Sequence, residues 1–304
     1  MNESTKVIIL LAIIIVIFVM SPAMGVGVLA VFLAAQVMPS VEALNDKLLY
    51  LHTDLSNRNL EEDEVIELAN VLATNTSLQT LNLEGNRLGE VGGVAIAGAL
   101  ERNTTLISLD LSHNRLGERG GVAVANALAR NSSLETLNLR FNSFYNDGGA
   151  VVGTALADAL RTNTTLTTLD LHMNTMGERG GMALASALET NTSLTSLNIS
   201  GNQIHSNAGT ALANALRTNT TLTSLDIGTN FIGDAAGRAF VDALQTNTSL
   251  TELVHFSVSN VRQWEIIDDI NKLLKDRVAP ERGPLVKYAF PADMIYGQKR
   301  KRDS

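Results

Sequence analysis

Leu78-Gln79-Thr80-Leu81-Asn82-Leu83-Glu84-Gly85-Asn86-Arg87-Leu88 is followed, 28 residues on, by Leu106-Ile107-Ser108-Leu109-Asp110-Leu111-Ser112-His113-Asn114-Arg115-Leu116. The frame is leucine at the first, fourth and sixth places, asparagine at the ninth and leucine at the eleventh. It returns at Leu134, Leu166, Leu194 and Leu222, and in truncated form at Leu250. A degenerate first copy falls at Leu55 and Leu60, with Arg58 in the asparagine place. A unit this short cannot bury its apolar side alone. Repetition at a fixed interval therefore implies a stack in which each copy covers the next.

The front of each copy alternates with period two: Leu81 and Leu83 face inward, and Thr80, Asn82 and Glu84 face outward. That is a short strand with one buried side. Asn86, Asn114, Asn142, Asn174, Asn202 and Asn230 sit where the chain leaves the strand. Their amides suit a ladder that satisfies buried main-chain groups of adjacent turns. The back of each copy reads as a helix, with Ile96, Ala97 and Leu100 on one face and the same phase at Val124, Ala125, Leu128 and at Leu184, Ala185, Leu188. The interval from Leu134 to Leu166 is 32 residues. Aligning Gly148-Gly149 with Gly180-Gly181 places the extra four residues inside the helix, roughly one added turn.

This strand–helix unit, with its asparagine place and a glycine after the next apolar residue, resembles the ribonuclease-inhibitor type of leucine-rich repeat. NOD-like receptors and Ran GTPase-activating proteins carry the same type. The resemblance covers roughly Leu48 to Phe256. It implies an α/β solenoid, a curved horseshoe with parallel strands on the concave face and helices on the convex face. It also implies a scaffold for holding a protein partner rather than a particular chemistry.

The expected organisation is a hydrophobic membrane segment and linker over 1–47, the repeat domain over 48–256, a capping helix over 257–280 and a basic tail over 281–304. From Val7 to Met38 no residue is charged, and a bilayer core of ~30 Å needs ~20 helical residues. One uncleaved membrane helix is therefore expected. The competing reading is a secretory signal cleaved after Ser21-Pro22-Ala23. Lys6 on one side and Lys47 and Arg58 on the other leave the orientation open. Near the other end Val261, Trp264, Ile267, Ile270, Leu273 and Leu274 recur at helical spacing, and the chain finishes with Lys299-Arg300-Lys301-Arg302.

The chain has no cysteine, which excludes disulfides and thiolate metal sites, and its net charge of −8 disfavours nucleic acid. The outward strand places form an alternating row: Asp54, Asn82, Asp110, Asn138, Asp170, Asn198, Asp226 and Val254. Its carboxylates recur every second strand, ~10 Å apart, too far to share a metal. The row reads as a solvated polar face. The histidines fall at different phases; His113 and His172 come nearest to alignment, two units apart. Gly92-Gly93, Gly120-Gly121 and Gly180-Gly181 read as punctuation at the approach to the helix. No enzyme, cofactor or small-molecule substrate is indicated.

Binding energy concentrates in aromatic and arginine side chains, whereas most outward places here hold Ser, Thr or Asn. The exception is Arg140, Phe141 and Tyr145 with His172 and Met173, which are the candidate partner-binding residues. Phe231 and Phe256 mark a second apolar spot. Asn75, Asn103, Asn131, Asn163, Asn191, Asn219 and Asn247 each open an Asn-x-Ser/Thr sequence, a glycosylation acceptor in the secretory lumen. Their shared phase suggests fold residues instead, each ending a helix in the left-handed conformation. The expected role is thus a membrane-anchored protein-interaction module with cytosolic repeats. The rivals are a regulator of a small GTPase and a secreted or cell-surface recognition protein.

Overall fold

A computed structural model describes residues 52–144, 147–254 and 263–277. The expected membrane segment at residues 7–38, Tyr145, Phe256, Val261, the Trp264 side chain and the basic tail lie outside the described residues. Among the described residues, no helix is long and apolar enough to cross a membrane.

Strands and helices alternate as the periodicity requires. The strands are β1 (His52–Asp54), β2 (Thr80–Asn82), β3 (Ser108–Asp110), β4 (Thr136–Asn138), β5 (Thr168–Asp170), β6 (Ser196–Asn198), β7 (Ser224–Asp226) and β8 (Glu252–Val254). The helices are α1 (Glu62–Thr74), α2 (Gly89–Leu100), α3 (Gly117–Leu128), α4 (Gly148–Thr162), α5 (Gly177–Leu188), α6 (Ser206–Leu216), α7 (Asp234–Leu244) and α8 (Gln263–Leu274). The strands pair in chain order as one parallel sheet. Register is strict across it: Leu81 stands beside Leu109, Leu109 beside Leu137 and Leu137 beside Leu169. A one-residue slip would turn these leucines to the outer face, so burial itself fixes the register.

The core is the space between sheet and helices. Leu81, Leu83, Leu109, Leu111, Leu137 and Leu139 fill it from the strand side, and Ile96, Leu100, Val124, Leu128, Leu184 and Leu188 from the helices; all are buried. The asparagine ladder forms as read. Asn114 Oδ1 accepts the Asn86 N–H at 2.9 Å, while its Nδ2 donates to Leu83 O at 2.8 Å and to Leu111 O at 3.0 Å. The pattern starts at the Arg58 N–H, which donates to Asn86 Oδ1 at 2.8 Å, and continues to Asn230.

Three sequence expectations require correction. The first concerns the glycosylation-type asparagines. Asn75 and Asn163 end their helices in extended conformations, with φ/ψ of −69°/133° and −74°/128°, rather than left-handed ones. The reason is a second ladder. Asn103, Asn131, Asn163, Asn191, Asn219 and Asn247 are buried, and each Nδ2 reaches the carbonyl of a helix-terminal leucine in the unit before. Oδ1 meanwhile turns the chain into the next strand, as where Asn103 accepts the Thr105 and Leu106 N–H groups at 3.0 and 2.8 Å.

The second concerns the glycine pairs, which lie inside the helices rather than ahead of them. There they let neighbouring helices touch: a Cβ on Gly93 would lie 2.9 Å from Gly120 Cα, and one on Gly153 would lie 2.8 Å from Gly180 Cα.

That packing settles the third. Gly121 faces Phe144 and Val152, Gly153 faces Met176 and Gly180, and Gly181 faces Ile204 and Ala208. Gly153, not Gly149, is therefore the counterpart of Gly181. By this alignment the extra four residues, Tyr145–Gly148, precede the helix contact, and the last of them, Gly148, opens α4.

At the C-terminal end α8 packs on α7 and buries Ile266, Ile267, Ile270 and Leu274. A short 3-10 turn, Lys275–Arg277, follows. Arg277 donates to Leu250 O at 2.9 Å and to Leu244 O at 2.6 Å.

Candidate functional site

Each of the strands β1 to β7 ends in the same turn. The Asp or Asn at its last place accepts the N–H two residues on, at 2.8 Å from Asp110 to Ser112, 3.1 Å from Asn138 to Arg140 and 2.8 Å from Asp170 to His172. Asn138 Nδ2 also reaches Asp110 Oδ2 at 2.8 Å. The alternating Asp/Asn row is thus a set of side-chain-closed turns as well as a solvated face. At its first member, the backbone and hydroxyl of Ser56 hold the Asp54 carboxyl below its ordinary pKa.

From Asn86 to Asn202 both residues flanking each ladder asparagine are left-handed, and at Asn230 the preceding Thr229 is. Around Asn114 they are His113 (φ 56°) and Arg115 (φ 55°), around Asn142 they are Phe141 (φ 54°) and Ser143 (φ 59°), and around Asn174 they are Met173 (φ 57°) and Thr175 (φ 55°). Such backbone costs a non-glycine residue roughly 1 kcal/mol. The ladder bonds on both sides impose it. The place before the asparagine forms a single row: Gly85, His113, Phe141, Met173, Gly201 and Thr229.

In the middle of that row the side chains gather. His113 stacks on Phe141 with centroids 4.4 Å apart and planes at 16°, and His172 meets Phe141 edge-on at 5.1 Å. The Arg140 guanidinium lies 5.4 Å from the Phe141 ring centre. His172 Nδ1 is 2.7 Å from Ser200 Oγ, and that hydroxyl donates to Asn198 Oδ1 at 2.6 Å. The Ser200 hydroxyl thus links the His172 ring to the turn closed by Asn198. Met173 lies over Gly201 and is 42% exposed, one of the few large apolar side chains open to solvent.

Four of the candidate residues, Arg140, Phe141, His172 and Met173, therefore come together; Tyr145 lies outside the described residues. His113 belongs with them and was missed. Its signal was its position 28 residues before Phe141 in the same row, whereas the sequence comparison weighed it against His172. The second spot holds Phe231, 58% exposed and stacked on His205 at 5.1 Å. Among the described residues, no group of His, Asp and Glu is arranged to hold a metal ion.

The leucine-rich repeat family model matches six times, at residues 74–97, 102–125, 130–152, 162–185, 190–213 and 218–241. No curated protein matches the chain in sequence. Among solved structures, the leucine-rich repeat-containing protein LegL7 from Legionella pneumophila is similar at 23% identity. That match covers 78% of this chain and 75% of LegL7, with a TM-score of 0.51. Human 5T4, also titled Wnt-activated inhibitory factor 1 or trophoblast glycoprotein, is similar at 19% identity over 84% of this chain and 91% of its own, with a TM-score of 0.50. These likenesses are to the fold. The strand–turn–helix unit, the two asparagine ladders and the six matched repeats place this chain in the leucine-rich repeat family, with repeats of the ribonuclease-inhibitor-like type.

Proposed function

We propose that this protein is a membrane-anchored interaction module that grips a protein partner through Arg140, Phe141, Tyr145, His172 and Met173, with His113 added from the structure. A repeat scaffold of this family supports protein–protein binding. The observation that carries the site is the gathering of an arginine, a phenylalanine and two histidines in contact on adjacent turns, with an exposed methionine beside them. Interfaces are enriched in these side-chain types. The anchor rests on the charge-free run from Val7 to Met38.

The repeats face the cytosol in this reading. Six of the seven glycosylation-type asparagines are buried, with both ends of the amide used by the fold. A glycan on any of them would remove a donor from a buried carbonyl and wedge the stack apart. A chain passing through a glycosylating lumen would be marked at residues its fold requires to be bare. Expressed with its full N-terminus in eukaryotic cells, the protein should stay with membranes through a carbonate wash. It should also run near 32.5 kDa and ignore endoglycosidase. Heavier bands that collapse on enzyme treatment would reverse the orientation and promote the cell-surface role.

The site is tested in the same cells with a photo-crosslinking amino acid at Met173, compared with one at Thr229 in the same row. Partner adducts are expected from Met173, and they should vanish when Phe141→Ala is added. Equal adducts from Thr229, or none dependent on Phe141, would remove the patch from its proposed role.

A further inference from the structure

We propose that the patch is built for an acidic segment of the partner, with a carboxylate seated on the Arg140 guanidinium and an apolar neighbour against Phe141 and Met173. This rests on the preceding assignment of the patch as the contact site and adds the chemistry of what binds there.

The chain is acidic overall, at −8, yet its charge is segregated. The two rows flanking the ladder asparagines contain Arg87 and Arg115 and no acid, and the row of Arg140 holds one acid, Glu84, two units away. The nearest aspartates are engaged by the fold. Asp110 accepts from the Ser112 N–H, the Ser112 hydroxyl and Asn138 Nδ2, and Asp170 accepts from the His172 N–H. Arg115 shares an open cleft with Glu90 and Glu118, which offset it. Arg87 lies two units away, so Arg140 is the cation beside the rings.

Two arginines on the helix side are paired within the fold. Arg130 pairs with Glu101 at 2.6 Å, and Arg161 pairs with Asp158. Arg140 has no ion pair among the described residues, and its Nε is buried without a hydrogen-bond partner. A guanidinium beside a ring, its Nε already withdrawn from water, offers its terminal nitrogens as a planar fork. That geometry suits a carboxylate better than a point charge would. His113 and His172 bracket the ring, so an incoming aliphatic or aromatic side chain finds a preformed wall rather than a mobile one.

The test uses the full-length chain in a mild non-ionic detergent and fluorescence anisotropy. The probes are a short fluorescein-labelled Glu/Asp peptide with a central Leu-Phe, the same peptide with lysine at each acidic place, and a single-stranded oligonucleotide of equal charge to the first. The acidic peptide is expected to bind, to weaken as salt rises, and to lose at least about ten-fold in affinity in Arg140→Ala, the size of one charged hydrogen bond. Arg140→Lys should recover only part of that loss. Arg217→Ala, exposed at the end of α6, should change nothing. Absence of acidic-peptide binding, equal binding of the lysine peptide or the oligonucleotide, or indifference to Arg140→Ala would each overturn the proposal. If Met173 crosslinks to the cellular partner still depend on Phe141 in that case, the site stands and only its acidic chemistry falls. If those crosslinks fail as well, both fall.

Discussion

Two rows of residues run side by side through the turns of this solenoid and obey opposite rules. In the ladder row the residue is asparagine in six consecutive units, from Asn86 to Asn230. In the row one place earlier, the same left-handed backbone carries Gly85, His113, Phe141, Met173, Gly201 and Thr229. The difference lies in what each side chain must do. An asparagine here faces a buried N–H of one unit and two buried carbonyls, and few other side chains supply an acceptor and two donors at that reach. Its neighbour points to solvent and is asked only to tolerate a positive φ. The fold is therefore written in one row, and the freedom to build a surface lies in the next.

Breaking the ladder row should give the largest effect. Asn142→Ala strands the Asn114 and Leu116 N–H groups and leaves the Leu111 and Leu139 carbonyls one side-chain donor each, from Asn114 and Asn174. We expect a loss of about 3 kcal/mol or more, since each buried orphan costs ~1–3 kcal/mol, read as a shift in the urea midpoint. A loss under about 1 kcal/mol would mean that water replaces the ladder.

The second ladder sharpens the rule by showing that it is not special to the strand exit. Asn191→Ala gives up the 2.8 Å bond to Leu160 O and the turn bond from the Leu194 N–H. The same titration should show about 2 kcal/mol. Asn191→Asp keeps the turn acceptor while losing the donor to Leu160, so it should not rescue the loss.

The smallest effect on stability belongs to the neighbouring row. Phe141→Gly removes the ring and relieves the strain of a bulky residue at φ 54°. Stability should stay within about 1 kcal/mol of the parent, while crosslinking of the partner from Met173 is lost. A large destabilisation would make the ring a structural filler and dissolve the contrast between the rows.

Much of this could be read from the leucines and asparagines. Strand, helix, parallel order and the first ladder follow from spacing, because a 28-residue period repeats each local constraint until chance is excluded. The second ladder was hidden by its own motif. Asn-x-Ser/Thr has both a chemical and a conformational reading, and neither points to the carbonyl 31 residues back that Asn103 bonds. The place of the four-residue insertion was hidden too. Gly148-Gly149 mimics the pairs elsewhere, and only the contact of Gly153 with Gly180 shows which glycine is the counterpart. Arg140, Phe141, His172 and Met173 stood out by type, whereas His113 needed the lateral register that brings its ring onto Phe141.

The side-chain ladder bonds also have a direction. Asn131 Nδ2 serves Leu100, and Asn163 Nδ2 serves Leu128: the open carbonyls at each helix end are closed by the asparagines of the next unit. On a ribosome, a unit that has just emerged stays unfinished until its successor arrives to cover it and close those carbonyls. Closure thus trails synthesis by one unit throughout. Lys275 stands 28 residues after Asn247, where the next ladder asparagine would be. Arg277, two residues later, gives Leu244 the donor its counterparts take from an asparagine, and donates to Leu250 O as well. At this helix end an arginine thus does the closing that an asparagine does elsewhere.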